Sequence, residues 1–124
     1  MKVVINTCWG GFSLSNKAMR MIYERKGETI YFFKDSALIE NPDEARSLFV
    51  MTYTSPDAQD GTYVSQYDIN RNDPDLIAVV EELGAEANGA YAKLAIVEIP
   101  DDVKWYIAEY DGMEHVAEEH RTWG

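Results

Sequence analysis

Cysteine is almost missing from this chain. Cys8 stands alone, which excludes an intramolecular disulfide and fits a reducing compartment. Histidine is nearly as scarce, with only His115 and His120. On a helix their five-residue spacing sets the imidazoles roughly 140° apart, whereas zinc helices keep two His four residues apart on one face. With one Cys besides, a structural zinc lacks ligands, and no metal and no cofactor is expected. Positive charge is short as well: 11 Lys and Arg face 22 Asp and Glu, a net charge of −11. Such a surface repels DNA and RNA phosphates, so a nucleic-acid polymer is not an expected partner. A small anion is a different case, because salt screens the distant field beyond roughly 8–10 Å and a local pocket of Arg and backbone amides can outweigh it. No apolar run approaches a membrane span, and the start has no long apolar stretch of the signal-peptide kind. No membrane partner is expected, and the expected location is the cytoplasm.

What remains is an ordinary globular composition, 46% hydrophobic with eight Tyr, which argues against disorder. At 124 residues the chain is read as one domain spanning 1–124. Residues 2–8 read as a buried strand. A helix over 16–26 follows, capped by Ser13 or Ser15, with Leu14, Ala18, Met21 and Ile22 on one face and Gly27 at its end. Glu28 to Lys34 reads as a strand and Asn41-Pro42-Asp43-Glu44 as a short helical turn. Leu48 to Thr54 and Thr62 to Ile69 form a predicted hairpin around the Ser55–Gly61 turn. Asp73-Pro74 is a cap followed by Pro at the first helical position, opening a helix with a Leu76, Ile77, Val80, Leu83, Ala87 stripe that ends at Gly84 or at Asn88-Gly89. Lys93 to Ile99 and Val103 to Tyr110 are predicted to pair as a hairpin across Pro100-Asp101-Asp102. Asp111-Gly112 breaks the second strand, and a short amphipathic helix is expected over 113–120. Mixed order with hairpins predicts an α+β domain with a largely antiparallel sheet, two main helices and a short C-terminal helix.

The passage that carries most chemistry is Thr7-Cys8-Trp9-Gly10-Gly11-Phe12-Ser13-Leu14-Ser15. A glycine-rich turn between a strand and a helix start is where backbone N–H groups and a helix dipole meet an anion. The amides of Gly10 and Gly11 with Ser13 are candidates to hold a phosphate, and Trp9 or Phe12 to stack on a base. The alternative is a tight turn with both aromatics in the core, since the spacing matches neither the dinucleotide fingerprint nor the P-loop. Asp68-Ile69-Asn70-Arg71-Asn72-Asp73 opens like a calcium loop but has Asp73 and Val79 where Gly and Glu are required. It reads instead as a polar turn, with Arg71 either contacting an anion or pairing with Asp68 or Asp75. Tyr110 is a further stacking candidate and Arg121 a further phosphate ligand, while Trp123 reads as a staple of the C-terminus and Arg121 alternatively as a cap. Cys8 with a His, or a Glu/His pair, keeps nucleophilic or acid–base catalysis open.

Three strings, residues 4–15 (VINTCWGGFSLS), 73–89 (DPDLIAVVEELGAEANG) and 97–123 (VEIPDDVKWYIAEYDGMEHVAEEHRTW), resemble a recurrent family of small phage and prophage proteins. They cover roughly half the chain. In size and charge the chain also resembles, in general character, viral sponges that sequester bacterial immune nucleotides, the Thoeris anti-defense family being the nearest class. That resemblance implies a homo-oligomer binding a cyclic nucleotide, and it carries over no pocket residue. The leading expectation is therefore non-catalytic sequestration of a small anionic, nucleotide-like ligand by Trp9, Gly10, Gly11, Phe12, Ser13, Arg71, Tyr110 and Arg121. The alternatives are a small nucleotide-directed enzyme and an acidic protein–protein inhibitor of a host factor.

Overall fold

The first strand, β1 (Lys2–Asn6), is an apolar run whose Val3 and Val4 are fully buried although they point to opposite faces. A strand buried on both faces needs cover on both sides. The computed structural model, which describes residues 1–44 and 50–119, shows where that cover comes from. Beyond β1 the chain turns through Thr7–Ser13 and enters α1 (Asn16–Arg25). Of the two candidate caps it is Ser15 that acts: its Oγ accepts from the Ala18 amide at 3.1 Å and donates to the Glu86 carbonyl at 2.7 Å. Gly27, at φ +80°, lets the chain leave the helix in the left-handed region.

Next come β2 (Tyr31–Lys34) and β3 (Ala37–Leu38), a one-turn 3₁₀ helix over Pro42–Glu44, β4 (Val50–Tyr53) and β5 (Tyr63–Val64). They form an antiparallel sheet in the order β3-β2-β4-β5. A 3₁₀ turn over Gln66–Asp68 leads to α2 (Pro74–Leu83). The Asp73 side chain caps α2, accepting from the amides of Asp75 and Leu76 at 2.8 and 3.2 Å. A 3₁₀ turn over Gly84–Ala87 follows, then β6 (Leu94–Glu98), β7 (Trp105–Tyr110) and β8 (Met113–Glu118). Strand β6 pairs antiparallel with β1, placing Lys2 opposite Glu98 and Asn6 opposite Leu94. Strands β7 and β8 form a separate hairpin, and β8 packs on β1.

The core is shared by α1, α2, β1 and the four-stranded sheet. Ala18, Met19 and Ile22 of α1 meet Leu76, Val79 and Val80 of α2, with Val4, Phe32, Val64, Leu14 and Phe12 completing the cluster. Each large side chain so buried contributes roughly 1.5–3 kcal/mol over leaving it in water. Every pairing among the described strands is antiparallel, and with two α-helices the domain is α+β, as the element order predicts.

Two expectations about the C-terminal third are overturned. Residues 113–118 form a strand, not part of a short helix, and residue 120 lies outside the described residues. Asp111 (φ +53°) and Gly112 (φ +85°) supply the two left-handed residues of a two-residue hairpin turn. That turn fixes Tyr110 opposite Met113 and Trp105 opposite Glu118. An isolated helix of seven or eight residues has little stability of its own against such a ladder. The strands at 93–99 and 103–110 exist but do not pair with each other. Strand β6 goes to β1, and the bond from the Ile99 amide to the Met1 carbonyl at 2.8 Å extends that ladder. Strand β3 escapes prediction because its turn, Asp35 (φ +51°) and Ser36 (φ +67°), uses the same geometry without a glycine.

Burial pushes the Asp73 carboxyl up, but the Lys26 ammonium at 2.7 Å and the Leu76 and Asp75 amides outweigh it and hold it below the ordinary carboxylate range. A depressed folded-state value means stability that is present above pH ~4 and lost as pH falls through the depressed value. Asp73→Ala is expected to cost about 0.5–2 kcal/mol at neutral pH and to lessen the acid sensitivity of Tm below pH ~4. Thermal melts across that range check both effects.

Candidate functional site

A cleft of about 350 Å³ opens between the Gly10–Leu14 loop, the N-terminus of α1, the β4–β5 sheet edge and the Ala90-Tyr91 turn. That volume is typical of small-ligand sites. Its lining includes the buried apolar side chains of Leu14, Met19, Phe32 and Val64. Hydroxyl and amide groups of Ser13, Thr52, Ser65 and Gln66 line it too. Three exposed tyrosines, Tyr63, Tyr67 and Tyr91, complete it. Among the described residues, no Asp, Glu, Lys, Arg or His lines it. Its walls are fastened by specific bonds. Gln66 Oε1 accepts from the Leu14 amide at 2.8 Å, and the Tyr67 hydroxyl reaches the Phe12 carbonyl at 3.5 Å. Ser13 Oγ donates to the Ala90 carbonyl at 3.3 Å, while its carbonyl accepts from the Gly89 amide at 3.0 Å.

Glycines permit the close approach of the loop and the turn. A Cβ on Gly10 would overlap the Tyr91 carbonyl oxygen and Cβ, and one on Gly89 would overlap Ser13. Four of the eight predicted site residues, Gly10, Gly11, Phe12 and Ser13, do line one cleft. Of the other four described or expected, Arg71, Trp9 and Tyr110 do not line it, and Arg121 lies outside the described residues.

Arg71 has a different role from the one expected. Its guanidinium forms a two-pronged pair with Glu114, at 2.7 and 2.8 Å, and donates to the Val4 carbonyl at 3.2 Å. The pair is largely removed from solvent, with Arg71 18% and Glu114 7% exposed. The partner is neither Asp68 nor Asp75. The guanidinium carbon also sits 3.5 Å from the centroid of the Phe12 ring, so one face of that buried ring is already covered. Glu114 in turn accepts from the Asn6 amide at 2.8 Å. The fully buried Asn6 side chain donates to the carbonyls of Cys8 and Gly112 and accepts from the amides of Cys8 and Lys93. The glycine passage is thus held from behind by a satisfied polar cluster. Trp9 (73% exposed) and Tyr110 (83% exposed) belong to the hairpin-turn end of the molecule, where a Cβ on Gly112 would overlap the Trp9 carbonyl.

The residues that sequence reasoning missed are Tyr63, Tyr67, Gln66 and Tyr91. Tyr63 lies in β5, near the start of the predicted Thr62–Ile69 strand, while Gln66 and Tyr67 sit in its second half, where the chain instead folds into a 3₁₀ turn. Tyr91 follows Asn88-Gly89, which reads as a plain helix terminus. Among the described residues, no group of three His, Cys, Asp or Glu side chains converges to hold a metal ion, and no helix is long and apolar enough to cross a membrane. Comparison with protein-family models, curated proteins and solved structures finds no match.

Removing one partner of a buried ion pair leaves the other charge uncompensated, at a cost of about 3–5 kcal/mol. Arg71→Ala is therefore expected to act on stability, with a loss of that order in urea unfolding. An unchanged midpoint would contradict a structural role for Arg71.

Proposed function

We propose that the protein binds and sequesters, without chemical conversion, a small ligand that carries an uncharged ring. Within the nucleotide class expected from the sequence, cyclic immune signals included, the base would enter the cleft. The phosphates would lie at its mouth, beside the backbone of Gly10–Ser13. The observation that carries this reading is the cleft's described lining, which joins buried apolar side chains, hydroxyl and amide groups for edge recognition, and three exposed tyrosines, with no charged side chain among the described residues. Aromatic side chains stack on bases with about 1–3 kcal/mol each, whereas a charged ligand buried without a counter-charge is penalised. The engagement of Arg71 by Glu114 shifts the weight of recognition from the phosphate to the ring.

The test is to incubate the purified protein with cyclic mono- and dinucleotides and ADP-ribose isomers, wash, denature and weigh the released compound. One intact compound at about one per chain is the expected result; a cleaved compound would make the protein an enzyme. Ala90→Trp places a large side chain on the cleft wall at an exposed position, and it is expected to abolish retention with little change in Tm. Retention by that variant equal to wild type would place the ligand elsewhere.

A further inference from the structure

Tyr91 occupies a conformation that its residue type resists. The Ala92 amide donates to the Gly89 carbonyl at 3.2 Å, closing a four-residue turn over Gly89-Ala90-Tyr91-Ala92. Tyr91 stands third in that turn, at φ +63°. A turn with positive φ at the third position ordinarily takes Gly or Asn, because a side chain there crowds its own backbone. Of the four non-glycine residues with positive φ in the described chain, Asp35, Ser36 and Asp111 are small and polar and lie in hairpin turns. Tyr91 is the aromatic one.

Strain of this kind persists where surrounding structure enforces it, and it clusters at ligand clamps. Here the enforcement is on the backbone. Gly10 lets the loop press on the Tyr91 main chain, Gly89 lets the turn press on Ser13, and Ser13 bonds the turn at both Ala90 and Gly89. The ring receives no comparable support. Tyr91 as a residue is 70% exposed, its ring enters no aromatic or cation–π pair among the described residues, and it borders the cleft. A buried Tyr would offset the strain by packing, but an exposed one does not. A local rule broken without a compensating contact points to a functional site.

We infer that Tyr91 is a ligand-gripping residue, its strained backbone presenting the ring as a stacking platform over the cleft for a planar, uncharged ring such as a nucleobase. This rests on the cleft being the binding site. Tyr63 and Tyr67 line the same cleft.

The variants Tyr91→Gly and Tyr91→Asn both accept the left-handed backbone and remove the ring, while Tyr91→Phe keeps the ring. Each is compared with wild type by Tm and by calorimetric titration with adenosine, guanosine and their 3′,5′-cyclic monophosphates. The inference expects Tyr91→Gly and Tyr91→Asn to melt at or above the wild-type temperature yet bind at least one of these probes about 5- to 150-fold more weakly. Tyr91→Phe should stay within about threefold of wild type, because stacking needs no hydroxyl. Unchanged affinity in the Gly and Asn variants would overturn the role of Tyr91 while leaving the cleft as the site, provided Ala90→Trp still blocks binding. A lowered Tm in both would overturn the strain argument, because the ring would then be stabilising the fold. Wild type binding none of the four probes would overturn the cleft reading and this inference together.

Discussion

The cluster of Asn6, Arg71 and Glu114 is the constraint on which the other parts depend. Asn6 ends β1 and uses both amide hydrogens and its carbonyl oxygen, reaching Cys8, Gly112 and Lys93. Glu114, on β8, takes both prongs of Arg71 and the Asn6 amide. Three stretches distant in sequence are thereby joined: the glycine passage after β1, the turn before α2, and the β7–β8 hairpin. A buried polar network stabilises only when its members are satisfied. Among the described residues no buried side-chain nitrogen or oxygen lacks a partner. The β7–β8 hairpin has no fully buried residue of its own, and this cluster together with the face of β1 is what ties it to the domain.

The cleft lies on the far side of the same loop. Arg71 covers one face of Phe12, and Phe12 lines the cleft. Holding the loop from behind fixes Gly10–Ser13, and those residues fix the Gly89–Ala92 turn through Gly10, Ser13 and Gly89. A cleft with walls fixed this way is preorganised, so a ligand entering it would meet little ordering cost. Charge follows the same logic. Several acidic side chains pair with cations elsewhere, at Lys2–Glu81, Arg20–Asp43 and Lys26–Asp73 among others, and among the described residues none lines the cleft.

Much of the scaffold was legible because local signals agreed with the fold. Ser15 and Asp73-Pro74 start both helices, Gly27 and Gly84 end them, and the Val3-Val4-Ile5 run is a buried strand. The failures have physical reasons. Asp111-Gly112 is a hairpin signal as well as a breaker, and taking it only as a breaker turned β8 into a helix. Strand partners depend on long-range burial, so β6 joining β1 cannot be read from the short connection to β7. Four of the five residues named from the glycine passage line the cleft, because the close approach that glycine permits is a local signal. Arg71 is different: an arginine near a helix start looks the same whether its partner is a phosphate or a glutamate 43 residues away. Tyr91 was invisible because its strain exists only once Gly10 and Gly89 have brought the turn and the loop together.

The most direct measurement is a two-dimensional ¹⁵N–¹H NMR titration of the intact protein with guanosine and adenosine. The account predicts saturable shifts concentrated at residues 10–14, 63–67 and 89–92, with Arg71, Glu114 and the β7–β8 hairpin unmoved. Shifts concentrated instead at Trp9, Tyr110 and the hairpin turn, or no saturable shift at all, would contradict it.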